Sequence, residues 1–179
     1  MVTEIEVKIL EINRTQVEAK LVSLGAVKVF DDEIHARYYD FPDRRLKSSG
    51  MTLRLRKEGP KAVVTLKMDV ANVAAKERKE HETEVADFEA MRAIIEGMGM
   101  VVWLEMKKHR TRYRLGDAHV ELDRYHGNYD YIPEFLEIEG RDMETVFRHA
   151  AALGFGRNEC RPWDAVELAA HYSGRGSRS

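Results

Sequence analysis

An α+β fold, with antiparallel strands that bury one apolar face under helices and carry charge on the other, is predicted by three observations. Val2-Thr3-Glu4-Ile5-Glu6-Val7-Lys8-Ile9 alternates apolar residues with charges, so Ile5, Val7 and Ile9 share one side of a strand and Glu4, Glu6 and Lys8 the other. The same period of two returns at 51–57, 62–68, 101–115, 118–124 and 135–139. Between these runs lie segments with apolar residues at helical spacing, opened by Asn or Asp and closed by glycine.

The elements follow in order. Asn13 caps a first helix, with Gln16 at the capping-box position and Val17, Leu21 and Leu24 on one face as far as Gly25. Residues 27–41 read as extended and end in a loop marked by Pro42, Asp43 and Ser48-Ser49-Gly50. The 51–57 and 62–68 strands form a hairpin about Glu58-Gly59-Pro60-Lys61, and 69–76 is a loop. Residues 78–85 are polar on both faces, which suits an edge. Asp87 opens a helix with Met91, Ile94, Ile95 and Met98 inward. The long 101–115 strand turns at Gly116-Asp117 into 118–124, and 135–139 is the last strand. Asp142 opens a helix with the stripe Met143, Val146, Phe147, Ala150 and Leu153, ending at Gly154. A final helix spans about 163–172, and 173–179, poor in apolar residues, is expected to be disordered.

Length and composition bound the function. At 179 residues one domain is expected, and a charged fraction of 34% exceeds the ~25% of an ordinary domain. The net charge of -2 supplies no basic footprint for nucleic acid. Cys160 is the only cysteine, which excludes an internal disulfide and fits a reducing compartment. No apolar run approaches a membrane span and the N-terminus does not resemble a signal peptide, so a cytoplasmic location is expected.

The ionic faces collect Glu4, Glu6, Glu82, Glu84, Glu121, Asp123, Glu137 and Glu139 against Lys8, Arg54, Arg56, Lys67, Lys108, Arg110 and Arg112. Two arrangements satisfy this pattern: an open sheet with a solvated ionic side, or a sheet closed on its charged side into a barrel with an ionic lumen and helices outside. Buried unpaired ions are costly, so such a lumen requires charges that compensate one another or a ligand. Paired carboxylates suit hard divalent cations, and convergent Arg and Lys suit phosphate oxygens. Polyphosphate with Mg²⁺ or Mn²⁺ is a ligand that wants both.

Glu4-x-Glu6-x-Lys8, Arg54-x-Arg56, Thr65-x-Lys67, the Glu82/Glu84 strand, Lys108-x-Arg110-x-x-Tyr113 and Glu137-x-Glu139 resemble, in that order, the CYTH superfamily of triphosphate tunnel metalloenzymes. That group includes class IV (CyaB-type) adenylyl cyclases, thiamine triphosphatases and inorganic triphosphatases. The resemblance spans about 2–172 and implies one CYTH-like domain: an eight-stranded antiparallel β-barrel, the triphosphate tunnel, with a polar, charged lumen wrapped by helices. It implies that Glu4, Glu6, Glu137 and Glu139 hold a divalent ion, Mg²⁺ or Mn²⁺, with Asp123 near it and Glu82 or Glu84 serving a second. It implies that Lys8, Arg54, Arg56, Lys67, Lys108, Arg110 and Arg112 grip phosphates, with the register leaving open whether Arg110, Arg112 or both face inward. A homodimer is compatible with the family. His35 stands where the family often has Gln, and reads as an ordinary surface or packing residue. Trp103 and Trp163 read as core or helix anchors.

The expected activity is metal-dependent cleavage of an inorganic, thiamine or nucleoside triphosphate. Glu82 or Glu84 orients the attacking water, and Lys8, Arg54, Arg56 and Lys67 neutralise charge on the transferred group. The same grip serves the class IV cyclase reaction, which makes cyclic AMP and pyrophosphate from ATP. A non-catalytic polyphosphate- or nucleotide-binding module ranks third, since it has no need of the carboxylate pairs.

Overall fold

The computed structural model describes residues 5–69 and 78–173. Eight strands form one antiparallel sheet: β1 Ile5–Ile9, β2 Val27–Asp40, β3 Met51–Glu58, β4 Lys61–Asp69, β5 Arg78–Val85, β6 Val101–Leu115, β7 Ala118–His126 and β8 Phe135–Gly140. Their order is β1-β8-β7-β6-β2-β3-β4-β5, which puts the doubly polar β5 at one end. Among the described residues five α-helices accompany them: α1 Arg14–Ser23, α2 Arg45–Ser48, α3 Phe88–Gly97, α4 Met143–Leu153 and α5 Ala165–Ser173. None is long and apolar enough to cross a membrane.

The chain falls into two compact units, which we call central (Glu33–Lys107) and terminal (Glu4–Asp32 with Lys108–Ser179) from their places in the sequence. In the terminal unit, Val7, Ile9, Val120, Leu122, Leu136 and Ile138 present the apolar sheet face to Val17 and Leu21 of α1 and to Val146, Ala150 and Leu153 of α4. Gly140 lets β8 meet α4 closely, since a Cβ there would come within 3.0 Å of the Thr145 methyl. In the central unit Tyr39 and Leu55 pack against Phe88 and Ile95 of α3.

The helix starts follow their caps. Asn13 Oδ1 accepts from Gln16 N at 3.1 Å, Asp87 Oδ1 from Glu89 N and Ala90 N, and Asp142 Oδ1 from Thr145 N at 2.7 Å. Asp142→Ala should cost about 1 kcal/mol of stability, read as a lower denaturant midpoint with an unchanged slope.

Three expectations change. Ile94 and Met98 are each 55% exposed, because Phe88 and Ile95 set the buried stripe of α3 and Ile94 lies ~100° round the helix from Ile95. The 42–50 loop contains the short helix α2. Ser173 closes α5 instead of opening a tail. The remaining expected tail, 174–179, and the 70–76 part of the expected loop lie outside the described residues.

Candidate metal and phosphate site

Cross-strand partners share a face, so register decides which charges meet. In the terminal unit β1, β8 and β7 align Glu6 with Glu139 and His119 in one row, and Lys8 with Glu137 and Glu121 in the next. Glu137 and Glu121 face each other directly, an arrangement that repels unless a cation bridges it. Arg110 of β6 does so. Its Nη1 pairs with Glu121, its Nε and Nη2 lie 2.7 and 2.6 Å from the two Asp123 oxygens, and its Nη2 reaches Glu137 at 2.9 Å. Lys108 lies 2.5 Å from Asp123, and Arg112 Nε donates to Glu121 at 2.5 Å. Arg110 and Arg112 therefore both serve the charged face. Lys8, 3% exposed, sits 3.2 Å from Glu6 and 3.1 Å from Glu137.

Burial opposes the charge on Lys8, Arg110, Asp123 and Glu137, and the ion pairs outweigh it. Glu137 is held well below its ordinary 4.5, mainly by Lys8 and Arg110. Asp123 is lowered by Arg110 and Lys108, and Lys8 is raised by Glu137 and Glu6. Depressed carboxylates contribute stability that is present above their unfolded-state values and lost as pH falls through the folded ones. Lys8, raised, contributes fully below its unfolded value of 10.5. Stability from this cluster should thus be level across neutral pH and decline only in acid, below about pH 4.5. Denaturant midpoints at neutral and acid pH measure this.

Glu121, Asp123 and Glu137 bring carboxylate oxygens within 4.8 Å of one another, and all three are buried. Three hard oxygen donors, two with lowered pKa, fit a divalent ion such as Mg²⁺ or Mn²⁺, which would take over contacts now made by Arg110. Glu121 was absent from the metal set implied by the resemblance. The signal for it was its place two residues before Asp123. Glu139 lies 3.9 Å from His119 Nδ1, and Glu4 lies outside the described residues.

In the central unit one row crosses four strands: Tyr38, Arg54, Thr65 and Glu82. Arg54 Nη2 reaches Thr65 Oγ1 at 3.4 Å and Glu82 at 3.8 Å, while its buried Nε has no hydrogen-bond partner. Arg56 Nη2 lies 3.0 Å from Glu58 and 3.3 Å from Glu82. Thr65 Oγ1 donates to Glu82 at 2.8 Å. Lys67 pairs with Glu80 of the neighbouring row. Burial would raise the Glu82 pKa, but Arg56, Thr65, Arg54 and Lys67 together lower it. Glu84 is drawn instead to exposed Lys61 at 2.5 Å. Glu82, then, joins Arg54 and Arg56, and Glu84 does not. His35 belongs to the opposite face, where it and Arg37 both contact Glu105.

The CYTH domain family matches residues 3–153. The chain belongs to the CYTH family. A Methanocaldococcus jannaschii protein, provisionally named an adenylate cyclase, is 29% identical over 139 residues, covering 76% of this chain and 75% of the relative. The CYTH fold recurs in the X-ray structure of a Vibrio parahaemolyticus protein with the same provisional name, at TM-score 0.81 and 19% identity over 94% of this chain and 98% of that one. It recurs also in a provisionally named adenylyl cyclase from Hippeastrum, described as having a dominant triphosphatase activity, at TM-score 0.61 and 18% identity over 97% and 96% of the two chains.

Proposed function

We propose that this CYTH protein is a divalent-metal-dependent phosphohydrolase that cleaves a triphosphate. The observation that carries the reading is the constellation of buried Glu121, Asp123, Glu137, Lys8 and Arg110 with half-buried Lys108, which joins hard-metal donors to cations suited to phosphate. The charges among the named pairs nearly balance. A naked polyanion would upset that balance, whereas a triphosphate carrying a divalent ion brings both partners that the cluster can exchange for. The metal choice between Mg²⁺ and Mn²⁺ and a cytoplasmic site of action belong to this reading.

In the central unit Arg54, Arg56 and Lys67 neutralise charge that spreads over the transferred phosphoryl group. Glu82, kept ionised and therefore a weak base, accepts a hydrogen bond from the attacking water and aligns it. A bound divalent ion would supply Lewis acidity toward phosphoryl oxygens. In the terminal unit Glu6, Glu139 and Asp123 complete the acidic surroundings, and Lys8 steadies Glu137. Hydrolase activity described for the Hippeastrum neighbour supports the reading. The cyclase name of the Methanocaldococcus relative supports a second, cyclization of ATP to cyclic AMP with release of pyrophosphate.

Incubation of the purified protein with Mn²⁺ or Mg²⁺ and, separately, ATP, tripolyphosphate and thiamine triphosphate separates them. Orthophosphate is the expected product. Cyclic AMP with pyrophosphate would replace the first reading by the second, and no turnover of any triphosphate would overturn both.

A further inference from the structure

Beside the cation row of the central unit stands an aromatic shelf. Tyr38 is the β2 neighbour of Arg54, and its ring lies 6.0 Å from that of Trp103 at 58°. Trp103 is half-buried, not a core anchor, and cations cover it: the Arg44 guanidinium carbon is 4.1 Å from its ring centroid and Lys47 Nζ 5.9 Å. Arg44 adopts φ 61°, ψ 30°, a left-handed conformation costly for a side chain other than glycine. The turn is held by Asp40, 1% exposed, whose Oδ1 accepts from Phe41 N and Leu46 N and whose Oδ2 accepts from Lys47 N. A buried carboxylate thus fixes the turn that sets a strained arginine over an indole face on β6, with Tyr38 of β2 standing between that strand and Arg54 of β3.

Resting on the triphosphate reading above, we propose that Tyr38 and Trp103 form a ring-binding subsite for the neutral base of a nucleoside triphosphate whose phosphates engage Arg54. Arg44 exchanges its stack on Trp103 for the outer face of the base. A guanidinium stacked on a partly exposed indole is a weak contact, readily exchanged, whereas a base offers a full π-face. The cations also select. Arg44 and Lys47 repel the positively charged thiazolium of thiamine triphosphate, and tripolyphosphate has no ring to offer. Nucleoside triphosphates are therefore the preferred substrates.

Two measurements test this on the intact chain. Trp103→Leu should lower the ratio of kcat/KM for ATP to that for tripolyphosphate by about tenfold, in line with ~1–3 kcal/mol per stacked base. Equal losses on both substrates would overturn the subsite. The second readout does not need turnover. In a Trp163→Phe background Trp103 is the only tryptophan, and ATP should quench its emission while tripolyphosphate at matched concentration does not. Turnover of both without ATP-specific quenching would leave the triphosphatase reading standing and remove the subsite. Quenching by ATP without turnover of any triphosphate would do the reverse, and neither signal would sink both.

Discussion

Arg110→Met should lower the unfolding free energy by about 3 kcal/mol and abolish turnover. Breaking a buried ion network by removing one partner costs about 3–5 kcal/mol, because the other charges stay behind in a poor solvent. Here Glu121, Asp123 and Glu137 would lose their shared guanidinium. Each keeps one other cation: Arg112 for Glu121, Lys108 for Asp123 and Lys8 for Glu137, which places the effect at the low end. The variant leaves a more acidic pocket, so Mn²⁺ should raise its melting temperature more than it raises that of the wild type. A variant as stable as the parent, or one indifferent to Mn²⁺, would contradict the role given to Arg110 and its carboxylates.

Arg54→Ala should reduce kcat/KM for every triphosphate by about 10²–10³-fold, the scale of losing one preorganised donor to the transition state. Arg54 is buried, but its contacts to Thr65 and Glu82 are long and its Nε is unmatched, which leaves part of its guanidinium for a phosphate oxygen. Arg54→Lys keeps the charge and loses the planar fork, and should recover only part of the activity. Steady-state kinetics on ATP and tripolyphosphate decide this. Full activity in Arg54→Ala would remove Arg54 from the phosphate grip.

The strands were legible because period two is a local property. Ile5, Val7 and Ile9 against Glu6 and Lys8 require no knowledge of neighbours, and the Asn13, Asp87 and Asp142 caps are equally local. What the alternation could not show is which charges meet. Glu82 and Glu84 are equivalent by period, yet across β4 one faces Thr65 and the other leans to Lys61. Likewise the place of Lys8 between Glu6 and Glu137 depends on the β1–β8 register, which pairs residues 129 positions apart. Ile94 and Met98 fitted a helical stripe, but the partner surface of Tyr39 and Leu55 chose the stripe of Phe88 and Ile95. The anchor role expected of Trp103 fails because a sequence does not show which large aromatic keeps one face under a cation.

The direct test of the central claim is divalent-ion dependence of triphosphate cleavage, measured on chelator-treated protein titrated with Mn²⁺, beside a Glu137→Gln variant. The wild type should be inactive without metal, regain full orthophosphate release as Mn²⁺ is added, and need far less of it than Glu137→Gln, whose maximal rate should also fall. Cleavage that proceeds without a divalent ion, or a Glu137→Gln titration that overlays the wild type, would contradict the account.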